Sequence, residues 1–237
     1  MRNQMIIMII TIVVLVGASI ILGSEYSTTQ KSIEELKLEK VEQREPLVNL
    51  ELERMEAFFE QLPDDYDASE YDGWGEARHV ADQLYDDSNK LFKREWGTLL
   101  ALESQKRNVD PYIVYELLKV ETGGQFDPSL VGPETKYGHA YGLAQFMKNT
   151  GPWIADMADL PYNDEKLFDP HFSIQLSVVY LEFLHNEYGD WNHALTAYHR
   201  GMTGLENYKD ENGHAKSEYA VEIQENAEIT ELLAYDQ

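Results

Sequence analysis

Residues 110–121 carry a start signal, a period and a stop signal for one helix. Asp110 suits the N-cap and Pro111 the first turn. Thr122-Gly123-Gly124 suits the end. At about 100° per residue, Ile113, Val114, Leu117 and Leu118 form one apolar stripe. Such a stripe must pack against something, so the surrounding chain has to supply a partner for it. Glu121 falls at the centre of the stripe, while Glu116 and Lys119 fall on the opposite face. Its carboxyl is therefore expected to point at a core or a cleft wall. Desolvation and the partial negative charge of the helix C-terminus would both raise its pKa there.

The rest of the chain offers helices as partners. Residues 76–107 give Val80, Leu84, Leu91, Phe92, Trp96, Leu99 and Leu100, with a break near Asp86-Asp87-Ser88. Residues 122–141 are rich in Gly, Pro, Asp and Thr and read as a loop. A short helix is expected from about Leu143 and another apolar piece near Trp153, with loop again from Pro161 to Pro170. Residues 172–188 form a strong helix, and Asp190 caps one that Gly201 closes. No run of alternating strands and no solenoid repeat is visible, so the expected class is all-α.

Composition narrows the functions. The chain of 237 residues is 43% hydrophobic, enough for a sizeable core without staples. It has no cysteine, which excludes disulfides, thiolate metal sites and Cys nucleophiles. The formal charge of −24 speaks against nucleic acid as a partner. His185, His193 and His199 fit no familiar metal-ligand spacing, and no metal or organic cofactor is expected. Residues 5–22 are uncharged and close to the roughly 20 needed to span a bilayer. We expect residues 1–24 to anchor the chain in the membrane, single-pass, with the remainder outside; a cleaved signal peptide is the alternative. Residues 25–75 read as a charged helical stalk and acidic loop, 76–226 as the main domain, and 227–237 as an acidic tail.

Four segments then fall in series: Val-Glu-Thr-Gly-Gly-Gln-Phe-Asp-Pro at 120–128, Tyr-Gly-Leu-Ala-Gln-Phe-Met at 141–147, Leu-Phe-Asp-Pro at 167–170, and Ala-Leu-Thr-Ala-Tyr-His-Arg-Gly at 194–201. In this order they resemble the catalytic domain of soluble lytic transglycosylases, related in fold to goose-type lysozymes. The resemblance covers about residues 95–225 and includes Ser217-Glu218-Tyr219-Ala220-Val221 as a closing segment. It implies a lysozyme-like helical domain with a glycan cleft. It also implies cleavage of the β-1,4 bond between N-acetylmuramic acid and N-acetylglucosamine in peptidoglycan, ending the strand as 1,6-anhydromuramic acid.

Glu121 matches the family's single catalytic acid/base. A carboxylic acid kept protonated near neutral pH is what a glycosidase uses as proton donor. The resemblance further implies substrate contacts from Thr122, Tyr141, Gly142, Leu143, Ala144, Gln145, Tyr198 and His199. Three of these depart from the usual pattern: Thr122 stands for Ser, Ala144 for Met and His199 for Asn. Two other readings use the same residues differently. A hydrolytic muramidase would need a second carboxylate, with Asp127, Asp169 and Glu182 as candidates. A non-enzymatic wall-binding protein would keep the groove and lose the acid, and the presence of Glu121 argues against it.

Overall fold

The computed structural model describes residues 73–235 throughout, and shorter stretches between 25 and 62. The chain divides into two compact units, Met1–Gln61 and Leu62–Gln237. In the first, residues 29–37 and 52–59 are helical. The anchor expected at 1–24 lies outside the described residues, as does most of the acidic loop. Among the described residues no helix is long and apolar enough to cross a membrane.

The second unit is helical: α1 (Trp74–Asp87), α2 (Arg94–Arg107), α3 (Pro111–Glu121), α4 (Gly151–Met157), α5 (Pro170–Tyr188), α6 (Trp191–Arg200), α7 (Met202–Asn212) and α8 (Glu218–Tyr235). A 3-10 turn at Asp164–Phe168 precedes α5. Two helices are buried on every side, α2 over Trp96 to Ser104 and α5 over Phe172 to Leu181, and they pack on each other as the core. This is the expected behaviour of helices without a polar face.

α3 starts and stops as its sequence dictates. The Asp110 carboxylate accepts the Tyr112 N–H at 2.8 Å, and Pro111 occupies the first turn. At the far end Thr122 Oγ1 donates to the Leu118 carbonyl at 2.7 Å and accepts the Phe126 N–H at 3.2 Å. Phe126 is thereby folded back, with a positive φ of 48°, onto Phe92 and Tyr115 at ring distances of 5.0 and 5.4 Å. The loop leaving Glu121 is thus nailed to the core within five residues.

Three expectations are corrected. The face of α3 carrying Glu116 is not open, because α8 covers it. Glu116 is fully buried, and its Oε1 accepts Thr230 Oγ1 at 2.9 Å and Lys119 Nζ at 3.1 Å. The supposed tail at 227–237 is the second half of α8 as far as Tyr235, with Ala227 and Thr230 packed inward. No helix starts at Leu143. The short strands β1 (Ala140–Tyr141) and β2 (Phe146–Met147) pair antiparallel instead, and residues 142–145 make the turn between them.

Gly142 opens that turn at φ +71°, a region other residues rarely enter. A Cβ there would lie 1.8 Å from the Leu167 carbonyl oxygen, which is backbone and cannot step aside. Gly142→Ala should therefore lower stability by at least about 2 kcal/mol, read from urea unfolding midpoints.

Candidate active site

Glu121 is the last residue of α3, and α3 lies along α8. Tyr219 sits in the first turn of α8 and donates its hydroxyl to Glu121 Oε1 at 2.6 Å. The first turn of α8 is fixed from a third helix. On α6, Thr196 Oγ1 donates to the Ala215 carbonyl at 2.7 Å and lies 2.7 Å from Ser217 Oγ. Ser217 Oγ in turn accepts the Ala220 N–H at 3.2 Å. Thr196 and Ser217 are both buried, so this joint is shielded from water.

The same helix brings Tyr198 and His199 to the site. Tyr198 donates to the Ala144 carbonyl at 3.0 Å and packs on Tyr180 and Phe146 at 5.3 and 5.5 Å. The Glu121 carboxylate is near enough to push the Tyr198 phenol further up, on top of burial. His199 is solvent-exposed on one side and stacks on Tyr219 at 4.5 Å and 17° on the other. Burial of its inner side, then Arg200, lowers its pKa below the usual histidine range.

Glu121 itself is half-buried, and burial lifts its pKa from 4.5 to about 7. The Tyr219 hydrogen bond works the other way, since it favours the charged form, and burial prevails. Among the described residues no cation pairs with it. The carboxyl is therefore a proton donor near neutral pH that solvent, or a ligand, can reach.

The other anticipated residues divide. Tyr141 is half-buried, edge-on to Phe168 at 5.6 Å, with the Lys148 ammonium 5.0 Å from its ring. Leu143 and Ala144 are fully buried, so their side chains pack inward, and Ala144 offers its carbonyl to Tyr198. The Gln145 amide donates to the carbonyl of Gly142 at 2.8 Å and to that of Leu130 at 3.4 Å, holding the turn closed. The Thr122 hydroxyl is taken up by backbone, as described above. Thr122, Ala144 and Gln145 are thus engaged with the protein's own backbone and with Tyr198.

The candidates for a second carboxylate have structural partners. Asp127 accepts from the Ser129 N–H and Oγ, Asp169 caps α5, and Glu182 pairs with Arg107 at 2.8 Å. The three histidines go to different places: His185 onto Trp191, His193 onto Asp190 and His199 onto Tyr219. Among the described residues no three ligating side chains gather as they would around a metal. Sequence reasoning missed the role of Tyr219. It lay inside the closing segment already singled out, but nothing local tells that its hydroxyl reaches residue 121.

Comparison with known proteins gives a family model, described as the transglycosylase SLT domain, that matches residues 99–221. Among solved structures, the chain is similar to an inactive mutant of the lytic transglycosylase Slt from Pseudomonas aeruginosa. The identity is 18%, over 66% of this chain and 28% of that one, with a TM-score of 0.42. It is also similar to the 70 kDa soluble lytic transglycosylase from Escherichia coli, at 19% identity over 68% of this chain and 28% of that one, with a TM-score of 0.40. The chain thus spans under a third of the length of either. No curated protein matches it.

Two outcomes follow from the electrostatics of Glu121. Between pH 4.5 and 7 this residue is ionised in the unfolded chain but still protonated in the folded one. Stability therefore drains away as pH rises through that window and stays lower above it. Glu121→Gln has no charge to bury, so at about pH 8 it should be more stable than the parent by roughly 2 kcal/mol, and at about pH 4 no more stable. Parallel urea titrations at the two pH values read the difference. Tyr219→Phe removes the group that lowers the Glu121 pKa, so the carboxyl should titrate up to about one unit higher, as followed by its carbon chemical shift.

Proposed function

Because this chain belongs to the transglycosylase SLT domain family, we propose that it is a lytic transglycosylase acting on peptidoglycan glycan strands, with Glu121 as its single acid/base. The observation that carries this reading is the half-buried carboxyl with a pKa of about 7 and, among the described residues, one hydroxyl donor and no cation. Protonated Glu121 gives its proton to the glycosidic oxygen as the bond between N-acetylmuramic acid and N-acetylglucosamine breaks. The acetamido oxygen of the muramyl sugar stabilises the cationic anomeric carbon, a task that a second carboxylate performs in other glycosidases. Glu121, now an anion, takes the proton of the C6 hydroxyl as that oxygen closes on the anomeric carbon. The product is a 1,6-anhydromuramyl end, water is not consumed, and Glu121 is protonated again.

Each neighbour has a part in this cycle. Tyr219 holds one carboxyl oxygen and stabilises the anionic stage by hydrogen bonding. Tyr198, tied to the Ala144 carbonyl, fixes the turn that lines the site. The engagement of Asp127, Asp169 and Glu182 with structural partners supports the one-carboxylate mechanism over a hydrolytic one. We assign residues 1–24 to an anchor that keeps the domain at the outer face of the membrane, next to the wall. Fractionation of cells expressing the full chain tests that assignment, and recovery in the medium overturns it.

Mass spectrometry of the products from purified peptidoglycan tests the chemistry. The parent should release anhydromuramyl ends and Glu121→Gln none, with at least about a thousandfold loss of rate. Reducing muramyl ends would instead mean hydrolysis. The rate should fall as pH rises past about 7, because the first step needs the protonated carboxyl.

A further inference from the structure

Trp153 is 44% exposed, on the third residue of α4. Its neighbours Ile154 and Ala155 are fully buried, so α4 is firmly seated while its largest side chain is left in solvent. The indole is not loose. It stands nearly perpendicular to Tyr180 and Phe183, at 5.9 Å and 79° and at 5.3 Å and 86°. Tyr180 and Phe183 are themselves parallel to within 9°. Two rings of α5 thus fix one side of the indole and leave the rest of it open.

The same rings lead back to the reactive centre. Tyr180 is buried and lies 5.3 Å from Tyr198, whose phenol feels the charge of Glu121. Two ring-to-ring steps therefore connect an exposed indole to Tyr198, the phenol that senses the acid. Such a chain of packed aromatics holds Trp153 in a fixed position relative to Tyr198.

A glycan strand cleaved in its interior must run on past the sugars at the reacting bond. Its pyranose rings present faces of C–H bonds, which favour the electron-rich face of an aromatic ring and are indifferent to the protein's charge. On a chain with a formal charge of −24, an uncharged contact of this kind is one that the acidic surface does not oppose. We propose that Trp153 is a distal stacking platform for a sugar ring of the strand, setting the affinity for long strands without entering the chemical step. This rests on the glycan-cleaving reading above.

The test compares Trp153→Ala and Trp153→Phe with the parent on peptide-free glycan strands and on a short fragment that fills only the sugars flanking the cut. Thermal unfolding of each variant is recorded alongside. Trp153→Ala should raise KM on long strands about tenfold, equivalent to about 1.4 kcal/mol, with kcat unchanged. The short fragment should be processed as by the parent, and Trp153→Phe should recover most of the loss. An unchanged KM on long strands, or an equal loss on both substrates, overturns the platform. Should the parent release nothing from either substrate, the catalytic reading fails by itself. Retention of the proteins on immobilised glycan strands then decides the platform, with loss confined to Trp153→Ala supporting it and equal retention overturning it.

Discussion

The hydrogen bond from Tyr219 to Glu121 joins residues 98 positions apart, and much of the domain exists to make it short. α3 supplies the acid at its last residue and α8 the phenol in its first turn. α6 fastens the start of α8 through Thr196 and Ser217, then two residues later presents Tyr198 and His199 to the same centre. Burial opposes the charge on Glu121, and the phenol tolerates it. Their balance leaves the carboxyl at a pKa of about 7, where it can give a proton and take one back. A salt bridge in place of the phenol would have pulled the pKa down and removed the proton that the first step requires.

The two glutamates of α3 show how far environment separates identical side chains. Glu116 is the more deeply buried, and burial raises its pKa too. It has Lys119 and the Thr230 hydroxyl against it, and Lys119 is also tied to Asp87 on α1 at 2.8 Å. Tyr115 adds its hydroxyl to Asp87 at 2.6 Å. This network seals α1, α3 and α8 together behind the site. One and a half turns along the same helix, Glu121 has a single neutral donor and an open side. Glu116 contributes to the architecture, whereas Glu121 carries a desolvation cost on its charged form that no ion pair among the described residues offsets.

The wall of the site is held largely by backbone. Thr122, Gly142 and Gln145 all sit where a ligand contact was anticipated, and each is engaged in keeping a loop or turn in shape. A turn with two left-handed residues, Gly142 and Gln145, needs such fastening. The Gln145 amide closes it from within, and the Tyr198 phenol holds it from outside at Ala144. Small changes in this part of the sequence therefore act by moving backbone. Ala144 is itself fully buried and takes part through its carbonyl.

Local signals were enough to place most helices. The Asp110 and Asp190 caps, the stops after α3 and α6, and the unbroken apolar run of α5 all act within a few residues of where they stand. They also put Glu121 on the right face of α3, and the four segments in series pointed to a family. Whatever depended on distant parts of the chain was not legible. The burial of Glu116, on the face opposite the apolar stripe, could not be read because the helix that covers it comes a hundred residues later. The last residues of α8 looked like a tail because an acidic sequence gives no sign of the surface it packs against. Tyr219 was visible only as part of a segment, since its partner lies 2.6 Å away on another helix, 98 residues distant in sequence. The sequence determined which carboxyl would sit at the end of the apolar stripe of α3, through its type and helical phase. Its proton affinity was decided by tertiary structure, because desolvation is a property of everything packed around a group and not of its neighbours in the chain.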